Sequence, residues 1–291
     1  MNALDAVRKA RKYLEGFDID DAGREAELII VHLIGKDRAT LYRDNPRIPE
    51  DLISKIDEFL KRRSKREPLQ YILGYTEFSG LKIKVGPGVL IPRPETELLL
   101  EEAIRTIAGK GKDLSVITQH LSLSILDLCT GSGCLALALA RGFPDAQVFG
   151  TDISEVAIEY AKENAELNSI KNITFIRGSL FDPVEKLTFD LIISNPPYIR
   201  KDDIKSLQPE VKDWEPVESL NGGEDGLDYY RAIIPEARNY LKKGGCLVFE
   251  LGIGQADAVK KMAEDTGLID ISLRKDYAGI DRILLAKLGV V

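Results

Sequence analysis

The sequence has few of the residues that build metal centres and disulfide frameworks. Its 291 residues include three cysteines, Cys129, Cys134 and Cys246, and two histidines, His32 and His120. Scattered as they are, these give neither a disulfide framework nor a zinc cluster, and no metal is expected. No apolar run reaches the roughly 18 residues that span a bilayer. The segment Met1 to Glu15 is charged and amphipathic, unlike a signal peptide. Positive charge is not in excess either: 40 Lys+Arg stand against 47 Asp+Glu, a formal net charge of -7. Such a field does not favour nucleic acid as a direct partner. Neither an internal repeat nor a low-complexity tract is evident. These absences point to a soluble, reduced, cytoplasmic protein without a membrane partner, large enough for one ordinary core and a small accessory domain.

What is present is strongly periodic. Apolar positions recur at helical spacing in Leu4, Val7, Ala10, Tyr13 and Leu14, and again in Ala26, Leu28, Ile29, Val31, Leu33 and Ile34. A third helix begins near Pro49-Glu50-Asp51, where proline and acids suit a first turn. It ends in Lys61-Arg62-Arg63-Ser64-Lys65-Arg66, a cluster expected to be a solvated helix end that complements the dipole. Tyr75 to Phe78, Ser79-Gly80 and Leu81 to Val85 form a β-hairpin pattern, and an apolar helix follows over Leu98 to Ile107. Ala108 to Ser122 lacks clear periodicity and is expected to be a loop.

Beyond it strands and helices alternate. Strands are expected at Ser124–Leu128, Gln147–Thr151, Ile173–Ile176, Phe189–Ser194 and Gly245–Glu250, with helices over Leu135–Arg141, Ser154–Asn168 and Tyr229–Leu241. A last helix, Gln255–Thr266, precedes strands Ile269–Arg274 and Arg282–Ala286. This is a doubly wound α/β pattern, whose ligands sit beyond the carboxyl ends of the strands.

Two loops at such ends carry chemistry. Asp127-Leu128-Cys129-Thr130-Gly131-Ser132-Gly133 closes the first of these strands and opens a helix, so its glycines admit a ligand to backbone N–H groups. Asp152, with Ile153 next to it, ends the second strand 19 positions after Gly133, where an acid accepts ribose hydroxyls. Ser179, Leu180 and Phe181 follow the third strand and are placed to flank an adenine, although core packing suits Phe181 almost equally. Because Gly131-x-Gly133-x-x-Ala136 also satisfies a dinucleotide pattern, this loop alone is compatible with NAD or S-adenosylmethionine.

The second loop is Asn195-Pro196-Pro197-Tyr198. An amide oxygen, a carbonyl on stiff backbone and an aromatic ring suit a planar NH2 group, such as an amide or the exocyclic amine of adenine. It has no role in hydride transfer. Together the two loops point to S-adenosylmethionine as methyl donor, with S-adenosylhomocysteine as product.

The chain resembles the HemK/PrmC family, N5-glutamine methyltransferases that modify peptide-chain release factors. The resemblance covers essentially the full length. It rests on Pro68-Leu69-Gln70-Tyr71-Ile72-Leu73-Gly74, Ile91-Pro92-Arg93-Pro94-Glu95-Thr96-Glu97, the cofactor loop and Asn195-Pro196-Pro197-Tyr198. It continues in Glu215-Pro216, Gly222-Gly223-Glu224-Asp225-Gly226-Leu227, Arg274-x-Asp276, Gly279 and Arg282. One departure is Cys129, which stands where many relatives have glycine.

The fold so implied is α/β. A Rossmann-like class I S-adenosylmethionine-dependent methyltransferase domain, 96–291, is preceded by a small helical substrate-gripping domain, 1–70, and a linking β-hairpin, 71–95. The implied acceptor is the glutamine of the release factor's Gly-Gly-Gln loop. Asn195, Pro196 and Tyr198 are the expected catalytic groups. Pro197, Arg93 and Glu95 join them around the substrate, although an interdomain salt link suits Arg93 and Glu95 equally. The expected cofactor set is Asp127, Cys129, Thr130, Gly131, Ser132, Gly133, Asp152, Ile153, Ser179, Leu180, Phe181 and Asn195.

Three rival readings share parts of this pattern. A sister group methylates a ribosomal-protein glutamine, and its equivalent of Pro94-Glu95-Thr96-Glu97 differs. An adenine-N6 nucleic-acid methyltransferase shares the Asn-Pro-Pro-Tyr chemistry, but residues 1–70 are nearly neutral, with 15 Lys+Arg against 14 Asp+Glu. A scaffold protein without turnover has no need for the intact Asn195–Tyr198 loop.

Overall fold

The computed structural model describes residues 1–108 and 122–290, so the interior of the expected Ala108 to Ser122 loop lies outside the described residues. The chain forms two compact units, Met1–Tyr75 with Gln208–Trp214, and Thr76–Leu207 with Glu215–Val291. This differs from the expected division into 1–70, 71–95 and 96–291. The hairpin belongs with the second unit from Thr76 onward, and the first unit recruits a distant strap.

The first unit is helical: α1 (Ala3–Glu15), α2 (Ala22–Ile34), α3 (Arg38–Asp44), α4 (Glu50–Arg63), α5 (Leu69–Leu73) and, from the strap, the single turn α9 (Pro209–Lys212). Ala3, Ala6, Ala10 and Leu14 of α1 meet Ala26, Ile29 and Ile30 of α2 and Ile56 and Leu60 of α4 in one core. Small residues at the helical repeat allow this close packing. Two short helices were not apparent in the periodicity. The first, α3, is started by Asp37, whose carboxylate accepts Thr40 N–H at 2.6 Å. The second, α5, follows Pro68.

The expected solvated helix end over Lys61–Arg66 is corrected by the structure. Arg63 is 5 % exposed and forks between Glu25 (2.5 and 3.1 Å) and Glu210 of the strap (2.9 Å). Arg66 donates to Glu210 at 2.8 Å, and Arg62 pairs with Glu67. The basic run is therefore an ion-pair hub that fastens the strap, because the long stems of Arg62, Arg63 and Arg66 reach carboxylates from three chain segments.

The second unit begins with β1 (Tyr75–Phe78) and β2 (Leu81–Lys84), joined by Ser79-Gly80, both at positive φ as a tight hairpin requires. After α6 (Pro94–Ala108) come β3 (Ser124–Leu128), α7 (Cys134–Gly142), β4 (Gln147–Asp152), α8 (Glu155–Leu167), β5 (Ile173–Arg177) and β6 (Phe189–Ser194). Then follow α10 (Asp228–Tyr240), β7 (Leu241–Glu250), α11 (Ala256–Asp265), β8 (Ile269–Lys275) and β9 (Asp281–Lys287). The seven strands are ordered β5-β4-β3-β6-β7-β9-β8, parallel from β5 to β7, with β9 antiparallel to its neighbours. Helices α6, α7 and α8 form one contiguous layer and α10 with α11 another, so β3 and β6 are buried and read as almost uninterrupted apolar runs. The chain reverses its direction of winding between β3 and β6, and this switch point opens a crevice at the strand ends. No helix among the described residues is long and apolar enough to cross a membrane.

Arg63→Met is expected to destabilise the helical unit by about 3 kcal/mol, since it strands the carboxylates of Glu25 and Glu210 beside an apolar stem. Denaturant unfolding followed by circular dichroism measures this, and an unchanged midpoint contradicts the buried hub.

Candidate active site at the strand ends

Strands β3 and β6 pair in register, with Leu128 opposite Ser194. The buried Ser194 hydroxyl donates to the Leu128 carbonyl at 2.7 Å. The two loops singled out in the sequence, after Leu128 and after Ser194, thus leave the sheet side by side. They border a cavity of about 680 Å³.

The first loop is shaped by carboxylates. Asp127 is an acid inside an apolar strand, 1 % exposed, and accepts the Thr130 hydroxyl at 2.6 Å. Burial pushes its pKa up to about 7, opposed by the Thr130 hydrogen bond. Its other oxygen has no hydrogen-bond partner among the described residues. Asp152 accepts Gly131 N–H and Ser154 N–H, each at 2.9 Å. Burial raises its pKa, and those backbone donors pull it down. Cys129 has φ +58, Gly131 +54 and Gly133 +82, so the loop passes three times through the left-handed region. Glycine adopts such a backbone without strain; here a cysteine does so at position 129, and burial holds its thiol protonated.

The second loop is clamped from behind. Ile199 N–H donates to Leu220 O at 2.9 Å and Gly222 N–H to Ile199 O at 2.8 Å. Gln255 donates to the carbonyls of Tyr198 (2.8 Å) and Gly226 (3.1 Å). A Cβ at Gly222 would lie 2.7 Å from the Tyr198 backbone, so glycine there permits this close approach. The Asn195 side chain donates from Nδ2 to Thr96 Oγ1 at 3.1 Å. Thr96 in turn donates to Glu250 at 2.7 Å, as does the Tyr198 hydroxyl at 3.1 Å. With its NH2 engaged, Asn195 offers its oxygen as an acceptor.

Of the residues proposed from the sequence, Cys129, Thr130, Gly131, Ser132, Asp152, Ile153, Ser179, Leu180, Asn195, Pro197 and Arg93 line the cavity. The others stand behind it or away from it. Asp127 acts on the loop through Thr130. Gly133 starts α7, and a Cβ there would meet Phe175 at 2.9 Å and Ala161 at 3.0 Å, so it serves packing rather than ligand contact. Phe181, expected beside an adenine, is instead in the core, stacked on Tyr240 with ring centroids 4.4 Å apart. Its Leu180 neighbour takes the wall position because Leu180 turns through φ +44. Pro196 is buried between the two lining residues Asn195 and Pro197. Tyr198 lies against the core with its hydroxyl on Glu250, anchoring the loop. Arg93 is held by Glu215 at 2.6 Å, a carboxylate whose pKa burial raises and Arg93 lowers. Glu95 is exposed and does not line the cavity.

Sequence reasoning missed several contributors. Thr96, Asn221 and Tyr229 line the cavity. Asn164, fully buried in α8, joins Lys84 of the hairpin to the Ser132 carbonyl of the cofactor loop. An asparagine on the otherwise apolar face of α8 was the available signal.

The residues fit S-adenosylmethionine. Three carboxylates, Asp152, Glu218 and Asp228, line the cavity against one guanidinium, Arg93, which suits a ligand carrying a sulfonium and an ammonium. The space above Gly131 is open, and a Cβ there would meet nothing within 4 Å. No group of His, Cys, Asp and Glu among the described residues could hold a metal ion.

Comparison with known proteins agrees with this geometry. Residues 119–281 match the model of a methyltransferase domain. A methyltransferase crystal structure from Pyrococcus furiosus superposes with a TM-score of 0.53 at 22% identity, covering 72% of this chain and 90% of that one, a likeness of fold. Fold, site and match define a class I S-adenosylmethionine-dependent methyltransferase. Residues 5–74 match the PrmC N-terminal domain. The chain is 46% identical to the release factor glutamine methyltransferase of Thermodesulfovibrio yellowstonii over 98% of both chains. It is 45% identical to that of Geobacter sulfurreducens, over 96% of this chain and 94% of the relative. The chain belongs to the release factor glutamine methyltransferase family.

The two loop glycines have separable roles. Gly133→Ala is expected to destabilise the fold the more, through its collisions and its φ, by more than about 1 kcal/mol. Gly131→Ala is expected to weaken S-adenosylmethionine binding out of proportion to its stability loss. Calorimetric titration beside thermal unfolding checks the pair, and equal effects of both variants on binding and stability contradict the assignment.

Proposed function

We propose that this protein transfers the methyl group of S-adenosylmethionine to the side-chain amide nitrogen of the glutamine in the Gly-Gly-Gln loop of peptide-chain release factors. The observation that carries the reading is Asn195. It lines the cavity next to the cofactor loop, and its amide is turned so that oxygen is the group left to offer. The names of relatives similar over nearly the whole chain supply the acceptor protein.

The donor, when bound, supplies an electrophilic methyl on a sulfonium. Asp152 would take the ribose hydroxyls, the 129–132 loop the methionine end, and Ser179 and Leu180 the adenine. The chain's own task is to ready a poor nucleophile, since an amide nitrogen's lone pair is delocalised into its carbonyl. Hydrogen bonds from the substrate NH2 to Asn195 Oδ1 and the Pro196 carbonyl would hold that nitrogen in line. They would strengthen as positive charge grows on it, so they favour the transition state over the ground state. Pro197 narrows the wall beside the amide, and Tyr198 fixes the far end of the loop through Glu250. No general base is needed before transfer; the proton leaves to water afterwards.

In this reading the helical unit helps grip the release factor, and the protein works in the cytoplasm, where termination occurs. The formal net charge of -7 supports a protein acceptor over a nucleic acid.

Asn195→Ala is expected to lower kcat on purified release factor about 10²–10³-fold with folding intact, the size of one transition-state contact. Labelled-methyl transfer with a thermal unfolding control measures it. Turnover near that of the unaltered protein contradicts the role.

A further inference from the structure

Behind the acceptor loop runs a hydrogen-bond chain with a fixed direction. Glu250 ends β7 and is 1 % exposed. Thr96 Oγ1 donates to its Oε2 at 2.7 Å and the Tyr198 hydroxyl to its Oε1 at 3.1 Å. A carboxylate has no proton to give, so both hydroxyls must donate into it. Thr96 has a single proton. Once that proton points at Glu250, the Thr96 oxygen can only accept from Asn195. Asn195 must then turn its NH2 toward Thr96, as observed at 3.1 Å, and its oxygen the other way.

We propose that Glu250 and Thr96 are positioning residues whose hydrogen-bond polarity makes Asn195 an acceptor. The arrangement thereby selects a primary amide, which donates, over a carboxylate such as glutamate, which only accepts. The proposal rests on the reading of Asn195 given above. Reversal of the chain presents the Asn195 NH2 to the substrate NH2, donor against donor. An amide at position 250 can accept from only one of the two hydroxyls: with its NH2 toward Thr96 it turns the Thr96–Asn195 link around, and with its NH2 toward Tyr198 it turns that hydroxyl alone.

The carboxylate form is required, and burial raises the Glu250 pKa, countered by Thr96, Tyr198 and Arg282 and reinforced by Glu95. Tyr230 of α10, whose hydroxyl donates to the Glu250 carbonyl, and Cys134 of α7 also face it among the described residues. As pH falls, protonation of Glu250 therefore sets in above the ordinary glutamate range and removes the polarity. The rate should fall with it.

Three variants test this: Glu250→Gln, Thr96→Val and Thr96→Ser. Thr96→Val keeps the shape and loses the hydroxyl; Thr96→Ser restores it. Expected are a kcat at least tenfold lower for Thr96→Val, recovery of most of that loss in Thr96→Ser, and a smaller loss for Glu250→Gln, whose amide can still accept from Thr96 in one of its two orientations. S-adenosylmethionine affinity by calorimetry should stay within about twofold, and the acid limb of the kcat profile should disappear in Glu250→Gln. If Asn195→Ala is slow while Thr96→Val turns over normally, the proposal is wrong and the reading of Asn195 stands. If Asn195→Ala is also fast, that reading itself fails. A Thr96→Ser as slow as Thr96→Val, or equal losses in donor binding and rate, overturns the proposal in favour of packing.

Discussion

The site depends on one piece of backbone pairing, the register between β3 and β6. Because Leu128 lies opposite Ser194 and the Ser194 hydroxyl ties the two strand ends together, the donor loop and the acceptor loop start from one point of the sheet. A shift by one residue would turn every side chain of β6 to the opposite face, forcing both helix layers to repack and taking Asn195 out of the cavity. The two apolar helix layers on either face of the sheet make that shift prohibitively costly, so the core enforces the geometry of the chemistry. Methyl transfer needs two groups held in line, and here the rigid part of the fold does the holding.

Around that fixed point the chain uses carboxylates in different capacities. Asp127 and Asp152 work on the loop, one through Thr130 and the other through Gly131 N–H. Glu250 works on the orientation of Asn195, and Glu215 restrains Arg93. Each is buried or nearly so, and burial raises each pKa. Such groups are costly to keep in a core. Their concentration at one end of the sheet marks that end as the functional one on physical grounds, independent of family resemblance.

The parallel strands and their helices were legible because alternation of apolar runs and amphipathic segments is local information. Ser124–Leu128 and Phe189–Ser194 have the same ends in sequence and structure. The donor loop was legible too, since its glycines mark positions of positive φ. What was not legible depends on long-range contacts. Thr96 meets Glu250 across 154 positions and Asn195 across 99, and nothing in their local sequence distinguishes this threonine from a helix-starting one. Arg63 looked like one more charge at a helix end because its partner Glu210 lies 147 positions away. The core position of Phe181 was not legible for a related reason: strand-end position alone cannot tell which of two adjacent residues, Leu180 or Phe181, faces the cavity.

The central claim is that the acceptor is a release-factor glutamine, chosen because Asn195 presents an oxygen. The most direct measurement is mass-spectrometric mapping of methylated peptides and nucleosides after incubation with S-adenosylmethionine and, in separate reactions, release factor, release factor with its loop glutamine changed to glutamate, ribosomal protein, and DNA. The account predicts a single methyl on the Gly-Gly-Gln glutamine of intact release factor and none elsewhere. Methylation of DNA or ribosomal protein, or of the glutamate-substituted loop, would contradict it.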